Sequence, residues 1–510
     1  GIGTLTSSKE AAFSQNKKEE LQQYLKEFKV RIVLTAHPTQ FYPGNVLGII
    51  TDLDKAIQQN NLLLIKNLLA QLGKTPFFKK QKPTPYDEAV SLIWYLENVL
   101  YHSVSTIYNF VQQHIYDGEV LNNEIIDLGF WPGGDRDGNP FVTTEITLKV
   151  AERLRQTILK NYHKDIRQLR RRLTFKGIEE ILIRIEKRLN KHFTKSYKVV
   201  NFSSKILLEE LMKARVILIE EHKSLFLEEL DDLIHKVSIF GFHFATLDIR
   251  QDSRVHHNAF TKMVEELLDT KDTTFPSNYL TLSEAEQVTV LSEIKGDIDP
   301  NLFSDDMLVK TLKSIQAIKE IQYRNGKRGA NRYIISNNQT ALNVMQTFAM
   351  LNLSGFGETL PVDVIPLFET VDDLQNAESV MRTLYANPSY RKHVSQRKDK
   401  QTVMLGFSDG TKDGGYLMAN WSIFKAKEAL TSISREFGIE VIFFDGRGGP
   451  PARGGGKTHQ FYASLGPTIE DKEIQLTIQG QTISSNFGTL NSSQFNLEQL
   501  LSSGIKNEVF

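Results

Sequence analysis

From Ala89 through Leu92, Leu96, Val99, Ser103 and Ile107 to Phe110, apolar and small residues recur every three or four positions. That spacing is one face of a 3.6-residue period and predicts a long amphipathic helix. A second stripe runs from Ile146 through Val150, Leu154 and Ile158 to Tyr162. Its continuation, RQLRRRL at 167–173, invites a nucleic-acid reading, but acidic neighbours at helical spacing make it a solvated face. Ser283 and Glu286 suit a capping box for the helix that follows a surface insertion at 270–287.

The rhythm changes in the second half. RYIIS (332–336), VDVIPLFE (362–369), TVMLGFSD (402–409) and IEVIFFDGR (439–447) are short β-rich runs. Between them lie helical patterns through Leu342, Met345 and Phe348, through Leu374, Ala377, Met381 and Leu384, and through Leu417, Trp421, Phe424, Leu430 and Ile433. Strands alternating with helices predict parallel βα units. VRIVLTAHPT (30–39) and FHFATLDIRQD (242–252) are further strand-like runs that could join the same sheet.

Polar residues fall at one end of these runs. His37, Arg250, Asn337, Glu369, Asp409 and Asp445 each sit at or just past the C-terminal end of an apolar stretch. A doubly wound sheet places ligands at strand ends near its switch point, whereas a (β/α)8 barrel builds its site from all of them. The expected fold class is therefore a helix-rich α/β (β/α)8 barrel. It is expected as one domain, with a mainly helical portion at 1–240 carrying the TAHPT and GGDRDGNP loops and a βα-rich portion at 241–510 carrying most of the polar strand ends.

Composition narrows the partners. Lys+Arg and Asp+Glu are both 61, so bulk charge argues for neither nucleic acid nor a membrane surface. The chain has no cysteine, which excludes disulfides, thiolate metal sites and a cysteine nucleophile and suits a cytoplasmic setting. Apolar runs fall short of the ~18 residues that span a bilayer.

Local clusters carry the chemistry. Glu369 and Asp409, at successive strand ends, suit Mg²⁺ or Mn²⁺, although each could instead cap the next helix. Lys412 follows Asp409 between glycines, placed to neutralise an anion or to lie in a surface turn. His37 precedes a proline and is either an acid–base group or a hydrogen-bonding loop residue. WPGGDRDGNPFVT (131–143), which ends at a helix start, is a tight turn locked by salt bridges or a loop presenting Arg136. FFDGRGGPPARGGGK (443–457) brings Arg447 and Arg453 into a loop whose glycines let backbone N–H groups approach an anion. The adjacent His256 and His257 point different ways on a helix and read as packing or surface residues.

LTAHPT, GGDRDGNP, LDIRQDS, PLFETVDDL, GFSDGTKDGG and GRGGPPARGGG occur in the order found in phosphoenolpyruvate carboxylases of the bacterial and plant type, which this chain resembles. TIQGQTISSNFG (477–488) is similar to a further segment of that family. The resemblance implies a (β/α)8 barrel that uses Mg²⁺ or Mn²⁺ and no organic cofactor. Its reaction joins phosphoenolpyruvate and bicarbonate to give oxaloacetate and phosphate through carboxyphosphate and an enolate.

Carried over by motif, Glu369 and Asp409 hold the metal. Arg250, Arg447 and Arg453 bind the substrate, with Arg136 and Asp445 beside them, and His37 and Lys412 are catalytic. The family implies a homo-oligomer, commonly a tetramer, acting in the cytoplasm without nucleic acid or membrane partners.

Two departures stand out. The family motif has histidine where this chain has Asp445, and glycine where it has Ala452. Asp445 would then orient Arg447 or Lys412. Family members also extend further at both ends, so the chain reads as partial, with a last barrel strand expected beyond Phe510 and its ring left open. The alternatives are a non-catalytic or truncated relative, or another phosphoenolpyruvate or pyruvate barrel enzyme.

Overall fold

The structure is a computed structural model that describes residues 5–36, 44–77, 83–119, 121, 124–194, 201–407, 415–446 and 468–510. Among them nine strands form one sheet: β1 (Lys29–Thr35), β2 (Ile126–Phe130), β3 (Thr246–Leu247), β4 (Ile249–Asp252), β5 (Arg332–Ser336), β6 (Asp363–Phe368), β7 (Lys400–Gly406), β8 (Glu440–Gly446) and β9 (Glu473–Gln479). The order is β3-β2-β1-β9-β8-β7-β6-β5-β4, and every ladder is parallel.

Its two end strands, β3 and β4, are consecutive in the chain with only Asp248 between them. The Asp248 N–H donates to Phe130 O at 3.0 Å, and Arg250 N–H donates to Gly134 O at 3.0 Å, so pairing with the β2 side continues through the kink. β3 and β4 therefore share one rung, and nine strands make the eight positions of a (β/α)8 barrel.

The strand expected beyond Phe510 is supplied inside the chain. β9 pairs with β8 through Phe443↔Ile474 and with β1 through Val30↔Ile474, joining both halves of the ring. It escaped the hydrophobic reading because its inward positions are polar: Gln475 and Thr477 are buried against the interior, between outward-packed Ile474, Leu476 and Ile478. β2 escaped because it is five residues long and carries Asp127 inward. The ring thus draws β1 and β2 from the helical portion and the other strands from the βα-rich portion.

Strand alternation sorts the side chains into an outer apolar layer under the helices and an inner filling. Val33, Trp131, Ile334, Ile365, Leu367, Met404 and Phe444 form the apolar inner cluster. Below it lie two buried ion pairs, Arg31 Nη2 to Asp127 Oδ2 at 2.7 Å and Arg332 Nε to Asp248 Oδ1 at 2.9 Å.

The predicted long helix forms as Pro85–Tyr95 and Tyr101–His114, joined by a π-helical stretch at Leu96–Leu100. Thr144–Arg172 is a single helix; Arg167, Arg171 and Arg172 are exposed, as a solvated face requires, and Arg170 pairs with Glu186 on the helix Ile178–Thr194. Ser283 Oγ accepts from the Glu286 N–H, but the Glu286 carboxylate takes the Ser283 hydroxyl rather than its backbone. Among the described residues no helix is long and apolar enough to cross a membrane.

His256 lies at the barrel–helix boundary, its Nε2 2.6 Å from Tyr333 Oη and its Nδ1 3.0 Å from Thr347 Oγ1. Burial pushes its imidazole down to about 3, and that of His393 down to about 4. Both stay neutral in the folded chain while the unfolded chain takes up protons below about pH 6.5. Their contribution to stability is complete above that pH and is lost as pH falls towards the folded values. Unfolding free energy should drop between pH 7 and pH 5, and His256→Gln should reduce the slope by about one proton, ~1.4 kcal/mol per pH unit. Urea titrations of both proteins at several pH values check this.

Candidate active site

The C-terminal ends of β2, β4, β5 and β6 bring the described site residues together. After β2 the chain turns through Trp131–Pro140, with Gly133 at φ +90° and Gly138 at φ +78°. A Cβ on Gly134 would lie 2.0 Å from Asp248 O, so only glycine lets this loop lie against the β3–β4 kink. Arg136 N–H then donates to Arg250 O at 2.9 Å, which locks the loop to β4.

This close approach aims the loop's carboxylates at Arg250. Its Nε donates to Asp135 Oδ1 at 2.7 Å and its Nη2 to Asp135 Oδ2 at 3.0 Å. Asp137 Oδ2 lies 3.2 Å from the same Nη2, and the guanidinium stacks 4.4 Å above the Trp131 ring. Burial opposes the charge on Arg250, but Asp135, Asp137 and Glu369 outweigh it and raise its pKa.

Arg136 turns the other way. Its Nη2 donates to Thr147 Oγ1 at 2.9 Å on the helix Thr144–Arg172, and its side chain is buried in the wall. The first reading of the loop holds, since salt bridges lock it, and the second does not: Arg136 is buried in the wall, and the arginine at the mouth is Arg250.

Glu369 follows β6 on the inward side, in step with Ile365 and Leu367. Its Oε2 accepts the Asn337 N–H at 2.8 Å. Asn337 presents that N–H from a left-handed conformation, φ +54°, and Ser253 Oγ donates to its carbonyl at 2.6 Å. Burial raises the Glu369 pKa, the Asn337 N–H opposes this, and Asp137 adds to it. A half-buried, inward carboxylate with one oxygen fixed by a backbone N–H suits one ligand of a divalent ion. Among the described residues no group of three or more acidic or histidine side chains forms a complete metal site. His37, Asp409, Lys412, Arg447 and Arg453 lie outside the described residues.

Among the described residues Asp445 meets Lys427, while the expected partners Arg447 and Lys412 lie outside them. Phe444 points into the barrel, so alternation turns Asp445 outward beside Phe443. There its carboxylate meets Lys427 Nζ at 2.9 Å, on the helix Gly415–Glu436, with side-chain exposures of 7% and 2%. Lys427 escaped notice in the sequence. The available signal was a lysine in step with Ile423, Leu430 and Ser434 on the buried face of a helix. Restoring the family residue, Asp445→His, should therefore destabilise the chain by about 3 kcal/mol, because Lys427 loses its buried counter-charge. Adding Lys427→Met should return most of that loss, and paired urea unfolding curves measure both.

The phosphoenolpyruvate carboxylase family model matches residues 5–205 and 184–510 of the chain. A curated phosphoenolpyruvate carboxylase of Nitrosomonas eutropha is 28% identical over 96% of this chain and 59% of its own length. One of Nitrosomonas europaea is 29% identical over the same shares, 96% and 59%. The chain therefore spans about three-fifths of the length of the curated relatives it matches.

Proposed function

Because the chain belongs to the phosphoenolpyruvate carboxylase family, we propose that it carboxylates phosphoenolpyruvate with bicarbonate, giving oxaloacetate and phosphate. The observation that carries this reading is Arg250. Its guanidinium is held charged at the barrel mouth by a two-bond grip from Asp135 and faces the inward carboxylate of Glu369. Arginine suits a substrate with phosphate and carboxylate groups because its planar donors match both.

Glu369 and Asp409 would hold Mg²⁺ or Mn²⁺, which when bound supplies positive charge opposite the oxygens that gain negative charge. Arg250, with Arg447 and Arg453, binds and orients the phosphate and carboxylate of phosphoenolpyruvate. Bicarbonate oxygen attacks phosphorus, the bond from phosphorus to the enol oxygen breaks, and carboxyphosphate and the pyruvate enolate result. His37 takes the carboxyl proton as carboxyphosphate divides into CO₂ and phosphate, and the enolate carbon then attacks CO₂. Lys412 neutralises charge beside Asp409, while Arg136 supports the wall. Asp445 does not weigh against catalysis in this reading, since its carboxylate is taken up by Lys427.

The test is oxaloacetate formation by the 510-residue chain from phosphoenolpyruvate, bicarbonate and Mg²⁺, without nucleotide or coenzyme A. With ¹⁸O-bicarbonate, one labelled oxygen should appear in phosphate. A folded chain that binds Mn²⁺ and phosphoenolpyruvate yet forms no oxaloacetate would overturn the reading.

A further inference from the structure

Arg250 carries two carboxylates, and they hold it differently. A guanidinium presents five N–H donors, which form two forks: Nε with Nη2, and Nη1 with Nη2. Asp135 fills the first fork with bonds of 2.7 and 3.0 Å. Asp137 Oδ2 sits 3.2 Å from Nη2, an ion-pair contact without a hydrogen bond, beside the second fork. Among the described residues no hydrogen bond goes to Nη1.

The two acids also differ in their surroundings. Asp135 has a side-chain exposure of 26%, whereas Asp137 is 39% exposed and makes a single contact with the guanidinium. The second oxygen of Asp137 accepts the Ser336 hydroxyl. Its backbone is left-handed at φ +35°, which an aspartate tolerates better than most residues do. Asp137 is also close enough to Glu369 to disfavour that group's negative charge.

We propose that Asp137 is an internal stand-in for the substrate oxyanion on Arg250, so that an incoming phosphate or carboxylate must displace it to use the second fork. Asp135 positions the guanidinium and Asp137 competes for it. The mouth keeps its arginine compensated when empty and sets a threshold for anions: a ligand engages Arg250 when it bonds Nη1 and Nη2 together, and a weaker monodentate anion does not outcompete the tethered carboxylate. This inference rests on the reading of Arg250 as a substrate-binding residue.

The experiment is equilibrium binding of inorganic phosphate to the 510-residue chain, in a buffer free of other polyvalent anions. Asp137→Asn and Asp137→Gly both tolerate a positive φ and both remove the charge. Each should tighten phosphate binding about fivefold, the scale of a half-exposed ion pair. Asp135→Asn should weaken binding, because it releases the guanidinium from its grip. A gain in affinity is the decisive readout, since a merely structural role for Asp137 predicts a loss. Phosphate bound by Arg250→Gln as tightly as by the native chain would sink the reading of Arg250 itself. Loss of binding in Arg250→Gln, with no gain in either Asp137 variant, sinks only the competition.

Discussion

Arg250→Gln is expected to lower kcat/KM for phosphoenolpyruvate carboxylation by at least about a hundredfold. The side chain would lose its charge opposite the substrate oxyanions, and charge-assisted contacts of this kind are worth about 2–3 kcal/mol, roughly tenfold for each 1.4 kcal/mol. The change also leaves Asp135 and Asp137 facing each other without the cation that separates them. Arg250→Lys is the informative control. It keeps the charge but gives up the two-bond grip of Asp135 and the stacking on Trp131, so an intermediate loss should follow. Steady-state oxaloacetate assays on the three proteins measure this, and a folded Arg250→Gln chain within threefold of native would remove Arg250 from the site.

The largest effect on stability should come from lower in the barrel. The side chains of Asp248 and Arg332 are 0% and 1% exposed, and Asp248 also accepts Trp131 Nε1 at 3.0 Å. Asp248→Asn keeps the shape but leaves a guanidinium buried without its counter-charge, which costs about 3–5 kcal/mol. The effect should reach the mouth, because Trp131 is the ring on which Arg250 lies. Asp248→Asn/Arg332→Met should recover much of the stability, since an apolar side chain of similar volume needs no partner. Urea unfolding of the single and double variants reads this directly, and a loss below about 1 kcal/mol would mean that the pair is not a structural keystone.

Much of the ring was legible along the chain. The runs at 332–336, 362–369, 402–409 and 439–447 became β5 to β8, because strands buried on both faces need apolar side chains throughout. Where the inward face is polar the signal failed, as in β2 with Asp127 and β9 with Gln475 and Thr477. Asp127 is held there by Arg31 on the neighbouring strand, 96 positions away, a pairing that no local window contains, and Gln475 bonds Glu473 two residues along its own strand.

The site divides in the same way. Arg250 and Glu369 were readable as polar residues at strand ends, and the structure brings both to the mouth. Asp445 was readable as a departure from its motif, but its partner Lys427 lies 18 positions away on another element.

By itself the sequence determined the alternation of strands and helices, the glycines of the GGDRDGNP loop and the polar character of the strand ends. Local sterics and burial dictate these, and both act within a few residues. Tertiary structure alone decided that β9 closes the ring, that Arg136 turns into the wall while Arg250 faces the mouth, and that Asp445 points outward to Lys427. Each depends on which groups meet across the fold, where a buried charge is stable only beside the partner that the folded chain places next to it.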